Sequence, residues 1–216
     1  MRSRFFFKFC HASSFVKNSD IYPIHDRLIT RAEKESLLGH KGMVFWLYGL
    51  SGSGKSTLVL EMERQLQQIG IHSLVLDGDN LRSGINQDLG FSEKDREENI
   101  RRVSEIAKIL SQSGIIVLVS LITPLSKFRT DAKSIIGRDT YREIYVHASF
   151  ETCRGRDVKG LYARAEQGKV QSFTGQESAF EEPDQADLIL DTESDSLEES
   201  SQKLLSYIKE NISNNT

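Results

Sequence analysis

Eight residues constrain this chain more than any others. Gly49-Leu50-Ser51-Gly52-Ser53-Gly54-Lys55-Ser56 fits the pattern G-x-x-x-x-G-K-[ST]. Before it runs Val44-Phe45-Trp46-Leu47-Tyr48, a short apolar stretch of β-formers. After it Val59, Met62, Leu66 and Ile69 recur at helical spacing until Gly70 supplies a stop. Strand, glycine-rich turn and helix in that order make a phosphate cradle. The glycines allow positive φ, so successive N–H groups converge on phosphate oxygens, and the helix N-terminus adds its partial positive charge. Lys55 is expected to reach the outer phosphates and Ser56 to complete a Mg²⁺ shell. The expected ligand is a nucleoside triphosphate, held by residues 49–57, Thr57 included.

The same alternation continues downstream. Residues 72–76 read as a second strand, ending in Asp77-Gly78-Asp79. Ser92-x-x-Asp95 reads as a capping box opening a helix with the inner stripe Ile100, Val103, Ala107 and Leu110, ended by Gly114. Residues 115–121 are an unbroken apolar run suited to a strand buried on both faces. Residues 144–148 and 188–190 supply two further strands, and Leu197, Leu204, Leu205, Ile208 and Ile212 an amphipathic last helix. Strands alternating with helices imply right-handed crossovers. The expected fold is therefore α/β: a P-loop NTPase-type three-layer α/β/α sandwich around a five-stranded parallel sheet. Residues 20–216 read as one domain. Residues 1–19 hold Arg2, Arg4, Lys8 and Lys17 and no acidic side chain; they read as an unstructured extension, with organelle targeting as the alternative.

Composition excludes several classes. The 216 residues carry 28 basic and 31 acidic side chains, so the formal charge is 28 − 31 = −3. No overall positive field marks a nucleic-acid binder, and an anionic ligand must be held by local groups. No run approaches the roughly 20 apolar residues of a membrane span. Cys10 and Cys153 form neither a disulfide framework nor a metal cluster, which fits a reducing, cytoplasmic setting. A switch GTPase would need a guanine-reading Asn-Lys-x-Asp segment, which is absent. A motor-type ATPase would place an acid after the third strand, where Leu118-Val119-Ser120-Leu121 has none.

The acceptor is read from residues 76–102. Asp77 and Asp79 follow a strand, over the crevice beside the phosphate loop, where an acid can hold Mg²⁺ or orient an acceptor hydroxyl. Arg82, Arg96 and Asn99 can converge on an anion, since forked guanidinium donors suit phosphate and sulfate oxygens. Phe91, in a loop after Gly90, can stack on a base, although a lone phenylalanine is more often a core residue. Arg101 and Arg102 read as a solvated helix face.

These segments resemble the adenylylsulfate kinase (APS kinase) family. The resembling signatures are the phosphate loop, Asp77-Gly78-Asp79-Asn80-Leu81-Arg82, Asp88-Leu89-Gly90-Phe91-Ser92, and Arg96-Glu97-Glu98-Asn99-Ile100-Arg101-Arg102. Lys159-Gly160-Leu161-Tyr162 and Phe173-Thr174-Gly175 follow in the family order. The resemblance implies transfer of the ATP γ-phosphate to the 3′-hydroxyl of adenosine 5′-phosphosulfate, giving 3′-phosphoadenosine 5′-phosphosulfate and ADP. It assigns ATP to residues 49–57, catalysis to Lys55 and Asp79 with Thr123 at the family's phosphorylated-serine position, and Mg²⁺ to Ser56 and Asp79. The acceptor falls to Asp79, Arg82, Phe91, Arg96, Asn99, Ile122, Lys159, Leu161 and Phe173, with Phe91 and Phe173 sandwiching the adenine. It further implies a mobile lid over residues 155–183, a homodimer, and a separate ATP sulfurylase.

The chain departs from the family at residues 121–126, Leu-Ile-Thr-Pro-Leu-Ser. Thr123 stands where the family has a serine associated with phosphorylation, and Ser126 where it usually has arginine. Lys127 is a candidate to replace that charge, and Arg129 matches the next family arginine. Two rival readings follow: a P-loop protein that binds its ligands but turns over weakly, and a kinase for another small alcohol. The pair Phe91 and Phe173 weighs against the second.

Overall fold

The structure is a computed structural model that describes residues 22–24, 27–167, 174 and 179–213. The chain falls into two units, Met1–Thr30 and Arg31–Thr216. In the first, one turn closes through Arg27 N–H to the Ile24 carbonyl. The extension 1–19, Cys10 and Phe173 lie outside the described residues, as does much of the lid.

The second unit runs α1 (Arg31–Leu38), β1 (Val44–Tyr48), α2 (Lys55–Gln68), β2 (Ser73–Asp77), α3 (Gly78–Arg82), α4 (Glu93–Gln112) and β3 (Ile116–Ser120). It continues with α5 (Ser126–Ile136), β4 (Tyr141–His147), α6 (Phe150–Arg156), α7 (Leu161–Glu166), β5 (Leu188–Asp191) and α8 (Leu197–Ile212). The five strands make one parallel sheet in the order β2-β3-β1-β4-β5. Successive β1 side chains alternate between two cores. Phe45 and Leu47 pack with Leu58, Met62, Leu204 and Ile208 of α2 and α8. Val44, Trp46 and Tyr48 pack with Ile100, Val103, Phe128 and Ala132 of α4 and α5 on the other face. The three-layer α/β/α architecture is thus the one the alternation predicts.

The strands differ from their sequence reading at the ends. The fourth begins three residues earlier than its apolar core suggests, at Tyr141, because Tyr141 and the polar pair Arg142–Glu143 pair along Val44–Trp46 of β1. Ser92 caps α4 by accepting from Asp95 N–H, while the Asp95 carboxylate accepts from the Ser92 hydroxyl. The capping box with both reciprocal bonds is at α8, between Ser196 and Glu199. No described helix is long and apolar enough to cross a membrane.

Parallel pairing puts every strand's C-terminal end on one edge of the sheet, where Gly49, Asp77, Ser120, His147 and Asp191 stand. Register places Asp77 opposite Ser120 and His147 opposite Asp191. The site is built on this edge.

Candidate active site

The phosphate loop depends on close backbone approach. A Cβ on Gly49 would stand 2.3 Å from the Val146 carbonyl oxygen of β4, which only glycine avoids. Gly54, at φ +95°, is the N-cap of α2, so the loop delivers that helix's first amides to the cavity. Lys55 is buried. Its ammonium donates to the carbonyls of Gly49 (2.9 Å) and Leu50 (2.6 Å) and, at 3.4 Å, to Ser53 Oγ. Desolvation pulls its pKa down to about 8, so the group gains from any anion brought beside it.

Beside the loop stands a small cluster of oxygens. Ser56 Oγ donates to Asp77 Oδ2 at 3.0 Å and lies 3.3 Å from Ser120 Oγ. The other Asp77 oxygen caps α3, accepting from the N–H groups of Asp79 and Asn80. Asp79, two residues on, faces elsewhere and pairs with Lys159 Nζ at 2.5 Å. The acid beside Ser56 is therefore Asp77, the last residue of β2, one of the two acids the residues offered, whereas the family resemblance assigned that role to Asp79. A set of serine and carboxylate oxygens suits Mg²⁺, which keeps waters and takes one or two carboxylates plus substrate phosphates. No group of three or more His, Cys, Asp or Glu side chains able to hold a metal occurs among the described residues.

The acceptor segment forms the opposite end. Arg82 donates to the carbonyls of Leu89 (3.2 Å) and Gly90 (2.7 Å), and its guanidinium lies 4.5 Å over the Phe91 ring. Arg96 Nε donates to the Phe91 carbonyl at 3.0 Å. Burial lowers the pKa of both arginines, and the Arg82 charge lowers Arg96 further. Two desolvated cations side by side favour an anion. Phe91 is 58% exposed, so it is a cavity face and not a core residue. Asn99 is buried in α4 and accepts from Asn86 Nδ2 at 2.9 Å. Arg101 and Arg102 do form a surface network, with Glu98 and Asp88.

The third wall is residues 121–126. Thr123 sits at φ +43°, and its Oγ1 accepts from Trp46 Nε1 at 2.9 Å. Arg129 is 4% exposed, pairs with Glu143 at 3.1 Å and donates to the Thr123 carbonyl at 3.3 Å. It braces the wall from inside the protein. Lys127 pairs with Glu97 at 2.7 Å and does not line the cavity, so it does not replace the family arginine at position 126.

One cavity of about 1120 Å³ joins these walls, more than a single drug-sized ligand needs. Of the expected ATP residues, Ser51, Gly52, Gly54, Lys55, Ser56 and Thr57 line it. Gly49, Leu50 and Ser53 shape the loop from behind; Leu50 packs with Ala148, Cys153 and Tyr162. Asp79, Arg82, Phe91, Arg96, Asn99, Ile122, Thr123, Lys159 and Leu161 also line it. Sequence reasoning missed Arg156 as a brace: it donates to the Gly52 and Thr192 carbonyls and to Thr192 Oγ1. Thr192 in turn donates to the Ser53 carbonyl at 2.8 Å. A lone threonine after a strand gives no sequence signal of that contact.

Fold and site together define a P-loop kinase acting on a small molecule. The family model for adenylylsulphate kinase matches residues 41–191. An adenylyl-sulfate kinase of Bacteroides thetaiotaomicron is 50% identical over 192 residues, 89% of this chain and 96% of that protein. One from Oceanobacillus iheyensis is 43% identical over 84% of this chain and 92% of its own. The structure of the Mycobacterium tuberculosis APS kinase CysC in complex with AMPPNP and APS superposes with a TM-score of 0.75 at 41% identity, covering 78% of this chain and 98% of that one. The chain belongs to the adenylylsulfate kinase family.

Proposed function

We propose that this protein is an adenylyl-sulfate kinase, which transfers the ATP γ-phosphoryl group to the 3′-hydroxyl of adenosine 5′-phosphosulfate. The products are 3′-phosphoadenosine 5′-phosphosulfate and ADP. The observation that carries this reading is the single cavity, with the phosphate loop at one end and Arg82, Phe91, Arg96 and Asn99 at the other.

Phosphoryl transfer asks the protein mainly for positioning and charge stabilisation. The loop amides and the α2 N-terminus take the ATP phosphates, and Lys55 exchanges its carbonyl partners for phosphate oxygens. Ser56 and Asp77, together with the phosphates, would hold Mg²⁺, which would supply charge neutralisation at the transferring group. Asp79, paired with Lys159, is placed to orient the acceptor hydroxyl. The arginines take the phosphosulfate, with Asn99 donating through its amide, and Phe91 offers a face to the adenine, joined by Phe173. The described part of the segment 155–183, which includes the cavity-lining Arg156, Lys159 and Leu161, would shield both substrates from water. The reading extends to a cytoplasmic homodimer, a separate ATP sulfurylase supplying the acceptor, and a kinase domain over residues 20–216.

The test is ADP release by the full chain with adenosine 5′-phosphosulfate against adenosine 5′-monophosphate and sugar acceptors. Turnover that requires the phosphosulfate is expected. Equal rates with all acceptors, or binding without turnover, would overturn the reading in favour of one of its two rivals.

A further inference from the structure

Within the segment 155–183 read as a lid, Glu181 has been given no individual role, and it does not line the cavity. It nevertheless joins the segment leading into β5 to the third wall at two points. Its backbone N–H donates to the Pro124 carbonyl at 2.8 Å, and its Oε2 accepts from Ser126 N–H at 2.6 Å. Ser126 opens α5, and the α5 N-cap residue, Leu125, has no side-chain acceptor. A carboxylate 55 residues away in sequence therefore caps this helix, where the partial positive charge favours an anion. The segment is itself anchored on β4. Phe180 stacks on Tyr145 with ring centres 6.0 Å apart, and Asp187 accepts from Glu143 N–H at 2.7 Å. The bond is made to a backbone N–H, so it does not depend on which side chain occupies position 126.

The clamped stretch reaches the acceptor end by two routes. Upstream it continues into Thr123 and Ile122, which line the cavity. Downstream, Lys127 in the same helical turn pairs with Glu97, the neighbour of Arg96 on α4. The wall's tie to the phosphate loop is the longer bond from Gly49 N–H to the Ile122 carbonyl, 3.3 Å. We infer that Glu181 is a positioning residue for the acceptor half of the site, acting through residues 124–127 on the Ile122–Thr123 wall and on Arg96. This inference rests on the function proposed above.

The experiment compares full-length wild type, Glu181→Ala and Glu181→Gln by hydrogen-exchange mass spectrometry and by two-substrate kinetics. In Glu181→Ala, exchange in a peptide over residues 122–128 should quicken by about fivefold to tenfold while β1 stays protected, the size expected for one lost cap. The acceptor KM should rise by about the same factor, with the ATP KM changed less than about twofold. Glu181→Gln, whose amide oxygen still accepts from Ser126, should recover at least half of both effects. Unchanged exchange beside normal wild-type turnover overturns the inference alone, as do two KM values that move together or not at all. A wild-type chain without phosphosulfate-dependent turnover overturns the proposed function instead, and with it the acceptor half to which Glu181 is assigned.

Discussion

Thr123 stands at the family's serine position, and its surroundings predict a structural role with no covalent step. The residue is 2% exposed, and its Oγ1 accepts the indole N–H of Trp46, itself fully buried. Thr123→Ala removes that acceptor and leaves the Trp46 donor without it in a dry setting, a cost of about 1–3 kcal/mol. For a chain of this size each kcal/mol lowers the Tm by about 2–4 °C, so a fall of roughly 2–12 °C is expected. Thr123→Ser keeps the hydroxyl and should lose less than half as much. At φ +43° alanine also carries the left-handed penalty that glycine escapes, so Thr123→Gly should be no worse than Thr123→Ala. Trp46 is the chain's one tryptophan, so its emission reports both the local contact and global unfolding. Turnover of Thr123→Ala should stay within about tenfold of wild type, because direct transfer within one crevice needs no threonine nucleophile, and a hydroxyl without an adjacent base is a poor one. An unchanged Tm in Thr123→Ala would refute the hydrogen-bond argument. A phosphothreonine formed with ATP alone and chased into product, seen by mass spectrometry, would refute the catalytic one.

Lys55→Ala should lower kcat by about two to four orders of magnitude with the circular-dichroism spectrum unchanged, since the charge on the transferring phosphoryl group loses its nearest ammonium; a near-normal kcat contradicts the ATP assignment. Phe91→Ala and Phe173→Ala should each weaken phosphosulfate binding by about 1–3 kcal/mol in calorimetry, with ATP affinity nearly constant. Parallel losses for both ligands would return these rings to a packing role. Arg129→Met strands the partly buried Glu143 carboxylate and should cost about 2–4 kcal/mol in urea unfolding, with partial recovery in the double variant Arg129→Met, Glu143→Gln. A cost below about 1 kcal/mol would show that Glu143 reaches solvent in the native state.

The order of the five strands, the helices α2, α4 and α8, the parallel sheet and the phosphate loop were legible in the sequence because each is written locally. A buried strand is a short apolar run, an amphipathic helix repeats every three to four residues, and the cradle needs its glycines next to one another in the chain. The acceptor arginines and Phe91 were legible for the same reason, since they lie within one loop and the helix after it. What the tertiary structure alone decided are the contacts between segments far apart in sequence. Helix α1 has no apolar stripe and no buried residue; Arg31 holds it through Thr140 Oγ1 and the Gly42 carbonyl, and Glu35 accepts from Gly42 N–H. Asp77 and not Asp79 meets Ser56 because parallel register sets the end of β2 beside Ser120, while the first turn of α3 rotates Asp79 toward Lys159. The choice between two acids two residues apart is made by which way the chain turns as it leaves the strand. Residue types and spacing state that an acid is available there; only the packed sheet edge determines which carboxylate it presents to the phosphate loop.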